Sequence, residues 1–105
     1  MTPLAKKVYS LLDTVPRGKV TTYKALAHGA GTKAYRAIGQ IMKYNPNAPE
    51  TPCHRVVATN GTLGGYMGKT DKQTLQKKID LLKKEGVEVK NNRILNFKNI
   101  FYSFS

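Results

Sequence analysis

Residues 22–43 read TYKALAHGAGTKAYRAIGQIMK. Two short helices are predicted, broken by Gly29-Ala30-Gly31. Thr22 caps the first, which holds Tyr23, Ala25, Leu26 and Ala27. Thr32 caps the second, which runs to about Lys43 with Ala34, Ala37, Ile38, Ile41 and Met42 on its apolar face. A helix, a glycine-containing turn of about four residues and a second helix make the helix-turn-helix pattern. The second helix would be the one laid in a groove. Its other face offers Lys33, Tyr35, Arg36, Gln40 and Lys43. An ordinary αα-corner with a solvated basic face satisfies the same pattern.

Upstream, Thr2-Pro3 reads as an N-cap followed by proline in the first turn. Leu4, Val8, Leu11, Leu12 and Val15 recur at helical spacing, and Pro16-Arg17-Gly18 ends that helix. Lys19 to Thr22 is a short extended entry. Downstream, Asn45 to Pro52 is a stiff loop with three prolines. His54 to Val57 is predicted as a strand, Asn60-Gly61 as a hairpin turn and Thr62-Leu63 as the returning strand. Gly64 to Gly68 is a flexible loop. Asp71 to Glu85 is a helix with Leu75, Ile79 and Leu82 inward and Lys72, Lys77, Lys78, Lys83 and Lys84 outward. Gly86 ends it. Residues 87–95 form a small hairpin around Asn91-Asn92. The aromatics of the tail, Phe97, Phe101, Tyr102 and Phe104, are expected to pack on the domain. The class is mainly α with a small β-hairpin (α+β). With 105 residues and no linker or repeat, one domain over 1–105 is expected.

Eighteen Lys and Arg against six Asp and Glu give a formal charge of +12. Such a field attracts polyanions, nucleic acid first and an anionic membrane surface second. No apolar run approaches the ~18 residues of a membrane span. The N-terminus reads as an amphipathic helix rather than a signal peptide. A cytoplasmic protein is expected, nuclear in a eukaryote. The single cysteine excludes an internal disulfide and a multi-cysteine metal site. The two histidines and six carboxylates show no ligand spacing. No metal and no membrane contact are expected.

That cysteine lies in TPCHRVV, residues 51–57. A lone Cys is commonly a small buried hydrophobe. Here a rigid loop delivers it beside a histidine, and a Gly-Gly-Tyr stretch follows at 64–66. A thiol attacks as thiolate. His54 is placed to take the proton of Cys53, directly or through a water. Arg55 and Arg36 are candidate local cations favouring the anion. Glu85 is the candidate to orient His54.

PCHRVV, with YKALA before it and RAIGQIM–NP between, resembles the C-terminal domain of the O6-alkylguanine-DNA alkyltransferases, also called methylated-DNA–protein-cysteine methyltransferases. The resemblance runs from about Lys19 to Gly86. It implies a winged-helix-like helix-turn-helix fold (22–43), an active-site loop (45–57) and a Gly-Tyr loop (64–68), without the family's usual N-terminal domain. It implies that Cys53 takes the alkyl group irreversibly, once per molecule. His54 would activate the thiol through a water, Glu85 would orient His54, and Asn45 would support the active-site turn. Tyr23 would assist extrusion of the nucleotide and hydrogen-bond the guanine. Arg36 would fill the vacated place in the stack. The implied partner is double-stranded DNA containing O6-alkylguanine, bound through its minor groove by a monomer with no cofactor. Ala34 and Ala37 would permit close approach, with Lys33 and Gln40 beside them. Pro52, Val56, Tyr66, Met67 and Gly68 would line the pocket. Met67 stands where many members have serine, and Lys69 where glycine is common. Two alternatives accompany this expectation. One is an alkyltransferase-like protein that binds the lesion without transfer, although such proteins carry tryptophan in place of the cysteine. The other is a plain winged-helix regulator.

Overall fold

Thr2 Oγ1 accepts from the Ala5 N–H at 3.1 Å, and Pro3 opens the first turn. Helix α1 therefore starts at Pro3, and it runs to Leu12. The structure is a computed structural model that describes residues 1–104. The expected continuation of α1 to Val15 does not form. Asp13 caps the helix and the chain turns, with the Val15 N–H donating to Leu12 O at 3.0 Å. Val15 is still buried, placed by that turn.

Strand β1 is Thr21–Thr22. Helix α2, Tyr23–Gly29, is capped by Thr22 Oγ1. Helix α3 is Tyr35–Lys43. Thr32 does not cap it: its hydroxyl accepts from the Ala34 N–H, two residues on, which holds a tight turn instead. Lys33 and Ala34 thus precede the helix. A single 3-10 turn, Cys53–Arg55, leads into strand β2, Val56–Val57. Helix α4 is Lys72–Lys84, capped by Asp71. Strands β3, Val89–Lys90, and β4, Arg93–Ile94, form the expected hairpin, with Asn91 and Asn92 at positive φ. A short helix α5, Phe97–Ile100, follows.

Two strand expectations change. His54 and Arg55 belong to the 3-10 turn, not to a strand. Strand β2 pairs in parallel with β1, Thr21 opposite Val56 and Thr22 opposite Val57. The turn at Asn60-Gly61 is present, with the Ala58 N–H bonded to Thr62 O. The returning segment then pairs sideways, Thr62 with Arg93 of β4. Edge groups of a two-residue strand take the nearest partner, and here that partner is distant in sequence.

Successive strand residues face opposite sides of the pair. Val56 joins a core built with Val8, Leu12, Leu26, Ile38 and Met42 of the first three helices. Val57 joins a second core with Val20, Leu63, Leu82, Val87 and Ile94. Three of the four tail aromatics pack on the cores, Tyr102 and Phe104 against the first and Phe97 against the second, while Phe101 stays exposed beside Phe97. The fold is a small mixed α/β helix-turn-helix domain. No helix among the described residues is long and apolar enough to cross a membrane.

Candidate active site

Asn45, one residue past the Tyr44 C-cap of α3, ties the loop after it at both ends. Its Nδ2 donates to Thr51 O at 2.8 Å, and its Oδ1 accepts from the Asn47 N–H at 3.0 Å. Thr51 O also accepts from the Cys53 N–H at 2.9 Å. The proline-rich loop is thus closed into a ring that sets the start of the 3-10 turn. Pro52, Cys53 and His54 are all buried.

The turn puts Cys53 and His54 on a tight curve rather than on opposite faces of a strand. His54 Nε2 donates to Glu85 Oε2 at 2.9 Å. Glu85, the C-cap of α4, also receives both Arg55 Nε and Nη2 at 2.8 Å. Arg55 Nη1 reaches Val15 O at 2.7 Å. Burial works against the Glu85 carboxylate, but the bonds from Arg55 and His54 outweigh it and hold its pKa below the ordinary value. Burial pulls the His54 pKa down, against the opposing pull of Glu85. The imidazole is therefore neutral at neutral pH. With the proton on Nε2 committed to Glu85, Nδ1 is the ring atom left to accept one. Nδ1 is buried and has no hydrogen-bond partner among the described residues.

Cys53 is only 4% exposed, and its Sγ–H donates to Met67 Sδ at 3.4 Å. The expectation of a thiol already shifted toward the anion is corrected. Burial pushes its pKa up; the Asn45 side chain, the charge of Lys78 and a backbone hydrogen bond pull the other way and lose. The expected local cations are corrected too. Arg55 is engaged with Glu85, and Arg36 lies exposed on α3.

Lys78 was expected on the outer face of α4. It is 0% exposed. Its Nζ donates to the carbonyls of Val56, Leu63 and Gly65 at 2.7, 2.6 and 2.8 Å. Three acceptors match the three N–H bonds of an ammonium. Burial draws its pKa from 10.5 down to about 7, and a charged Cys53 would raise it. The signal was in the spacing: Leu75, Lys78, Ile79 and Leu82 recur at i, i+3, i+4 and i+7, so Lys78 sits in the apolar stripe.

The other expected residues fall into two groups. Tyr23, half-buried at the start of α2, donates to Gly65 O at 3.4 Å. Burial first, and a charged Cys53 second, raise its pKa. Tyr66 and Val56 are buried in the same core cluster as Cys53. Gly68 is exposed and lies against the side chain of Lys43. The second group is apart from the thiol. Lys33, Ala34, Arg36 and Gln40 are exposed, on α3 or just before it, with Ala37 half-buried between them. A cavity of about 510 Å³ lies elsewhere, between α2 and the aromatic tail, with Lys24, His28, Phe97 and Phe104 in its lining and Cys53 not among them.

These features define a small helix-turn-helix protein with a buried imidazole–carboxylate pair one residue from its thiol. Residues 3–87 match the family described as 6-O-methylguanine DNA methyltransferase, DNA binding domain, and the chain belongs to that family. A methylated-DNA–protein-cysteine methyltransferase of Candida glabrata is 42% identical over 93 residues, 88% of this chain and 42% of that protein. The crystal structure of an O6-methylguanine-DNA methyltransferase from Pyrococcus kodakaraensis superposes with a TM-score of 0.70 at 44% identity, over 83% of this chain and 48% of that one. S. pombe Atl1, solved in complex with damaged DNA containing O6-carboxymethylguanine, superposes with a TM-score of 0.83 at 31% identity, over 98% of this chain and 97% of that one. Among the curated relatives compared, the chain spans between 28% and 53% of their length.

Proposed function

We propose that this chain binds duplex DNA containing O6-alkylguanine and takes the alkyl group onto Cys53, once per molecule. The observation that carries this reading is the proton chain built around His54. Its Nε2–H is committed to Glu85 at 2.9 Å, and its Nδ1 is free, in a ring one residue from the only thiol.

His54 Nδ1 accepts the thiol proton, through a water where the two atoms do not meet. The thiolate attacks the alkyl carbon. A C–S bond forms, and the C–O6 bond breaks with its electron pair going to the guanine oxygen. The proton held by the imidazole passes to the departing guanine, so the base is restored and the cysteine ends as a thioether. The ammonium of Lys78 supports the thiolate in a buried setting, where a charge is worth more than in water. Removing the base from its stack costs roughly a few kcal/mol, least for a damaged base. The exposed face of α3 supplies the binding surface, entering the minor groove with Ala34 and Ala37 close to the backbone. Lys33 and Gln40 lie beside them, Arg36 fills the gap in the stack, and Tyr23 meets the everted guanine. Pro52, Val56, Tyr66, Met67 and Gly68 form the pocket. Residues 1–105 act as one unit, as a monomer in the cytoplasm or nucleus and without a cofactor.

A second reading is lesion binding without transfer. The end-to-end match to S. pombe Atl1 and the burial of the thiol favour it. Intact-mass measurement after incubation with a duplex carrying O6-methylguanine decides. Transfer adds one methyl group, about 14 Da, to Cys53, and Cys53→Ala gains nothing. Tight binding with no gain in mass assigns the second reading.

A further inference from the structure

Tyr66 and Lys69 exchange both backbone hydrogen bonds, at 2.9 and 3.0 Å, around Met67 and Gly68. Both central residues have positive φ, 53° and 76°. This is the pattern of a type I′ two-residue turn, whose first place favours Asn, Asp or Gly. A methionine there is costly, and a strained residue beside a reactive group points to a role. The side chain so placed is the one whose Sδ meets Cys53 Sγ at 3.4 Å.

The mount of this side chain is held from three directions. Lys78 grips Gly65 O and Leu63 O. The Tyr66–Lys69 pair closes the turn. Gly68 lies so close to Lys43 that a Cβ built on it would meet the lysine side chain at 2.6 Å. The backbone of the turn is therefore poorly placed to recede. The methionine side chain is not so bound, having three rotatable bonds and no branch.

We propose that Met67 is a size-selecting plug over Cys53. In the free protein it covers the thiol. When a lesion enters, the thioether rotates aside and the alkyl group takes its place. Because the turn stays where it is, the space gained is that of the methionine tip. A methyl group fits there, and a benzyl group does not. This inference rests on the alkyl-transfer reading for its substrate and not for the covering of the thiol.

Two measurements on the wild type, Met67→Gly and Met67→Leu test it. Glycine is relaxed at this φ, so the first variant is expected to fold. The first measurement is labelling of Cys53 by iodoacetamide. Met67→Gly is expected to label at least about tenfold faster than wild type, with Met67→Leu, which keeps the bulk, close to wild type. The second is the ratio of transfer from free O6-benzylguanine to transfer from an O6-methylguanine duplex, expected to rise about tenfold in Met67→Gly. Equal labelling of all three proteins overturns the plug. Faster labelling with an unchanged ratio overturns size selection. Should no protein take up methyl, the transfer reading fails, and the labelling rates still uphold or overturn the covering role of Met67.

Discussion

Glu85 accepts a hydrogen bond from His54 across 31 positions of chain, at 2.9 Å. The same carboxylate is gripped by Arg55, so a bidentate pair also fixes its place. Glu85→Gln keeps the shape and loses the charge that fixes the ring's tautomer. Single-turnover transfer should slow by roughly 100-fold. Urea unfolding should show a loss of about 1–2 kcal/mol from the weakened Arg55 pair. A variant as fast as wild type would remove His54 from the proton chain.

Lys78→Met keeps the length of the side chain and removes three donors from the carbonyls of Val56, Leu63 and Gly65. Loss of those bonds exceeds the relief of burying a cation, because three carbonyls lose a charged donor and Gly65 O keeps only the longer bond from Tyr23. Stability should fall by about 2–4 kcal/mol in chemical denaturation. The charge that lowers the Cys53 pKa goes with it, so the labelling rate of the thiol should rise only at still higher pH. Unchanged stability together with an unchanged labelling profile would deny Lys78 both roles.

Acid should weaken the fold through His54. Its pKa is lowered on folding, so the unfolded chain binds the proton more readily. The contribution is present above the unfolded value of about 6.5 and is lost as pH falls through that value and on through the folded pKa. Lys78 bears on a different window, between about 7 and its ordinary 10.5, where its lowered pKa costs stability as pH falls. Glu85, also lowered, acts only toward its ordinary 4.5 and below. The drop in urea midpoint between about pH 7 and 5 therefore belongs to His54 and should shrink in His54→Gln. An identical drop in both proteins would assign the acid sensitivity elsewhere.

Arg36 is exposed on α3 and distant in role from the thiol chemistry. Arg36→Ala should slow reaction with an O6-methylguanine duplex by about tenfold or more and leave reaction with the free base O6-methylguanine nearly as it was. Only the duplex requires a base to be drawn out of its stack. Equal slowing with both substrates would exclude a part in extrusion.

The chain's local signals determined much of this protein. Helical spacing, caps at Thr2 and Thr22, and the glycines between α2 and α3 placed the helix-turn-helix, because these depend on neighbours a turn away. The pairing of His54 with Glu85 was legible from residue types in a recognisable motif. Tertiary structure decided what local rules leave open. Thr32 spent its hydroxyl on a turn rather than a cap. Cys53 and His54 curled into a 3-10 turn because the Asn45 ring, closed by its buried side chain on Thr51 and Asn47, sets the chain's direction there. Parallel pairing of β1 with β2 joins segments 35 positions apart, as in Thr21 opposite Val56, and no short-range pattern encodes that. Burial depends on what the rest of the chain lays over a side chain. That is why Lys78, one lysine among many on α4, became the interior cation, and why the thiol came to lie under Met67.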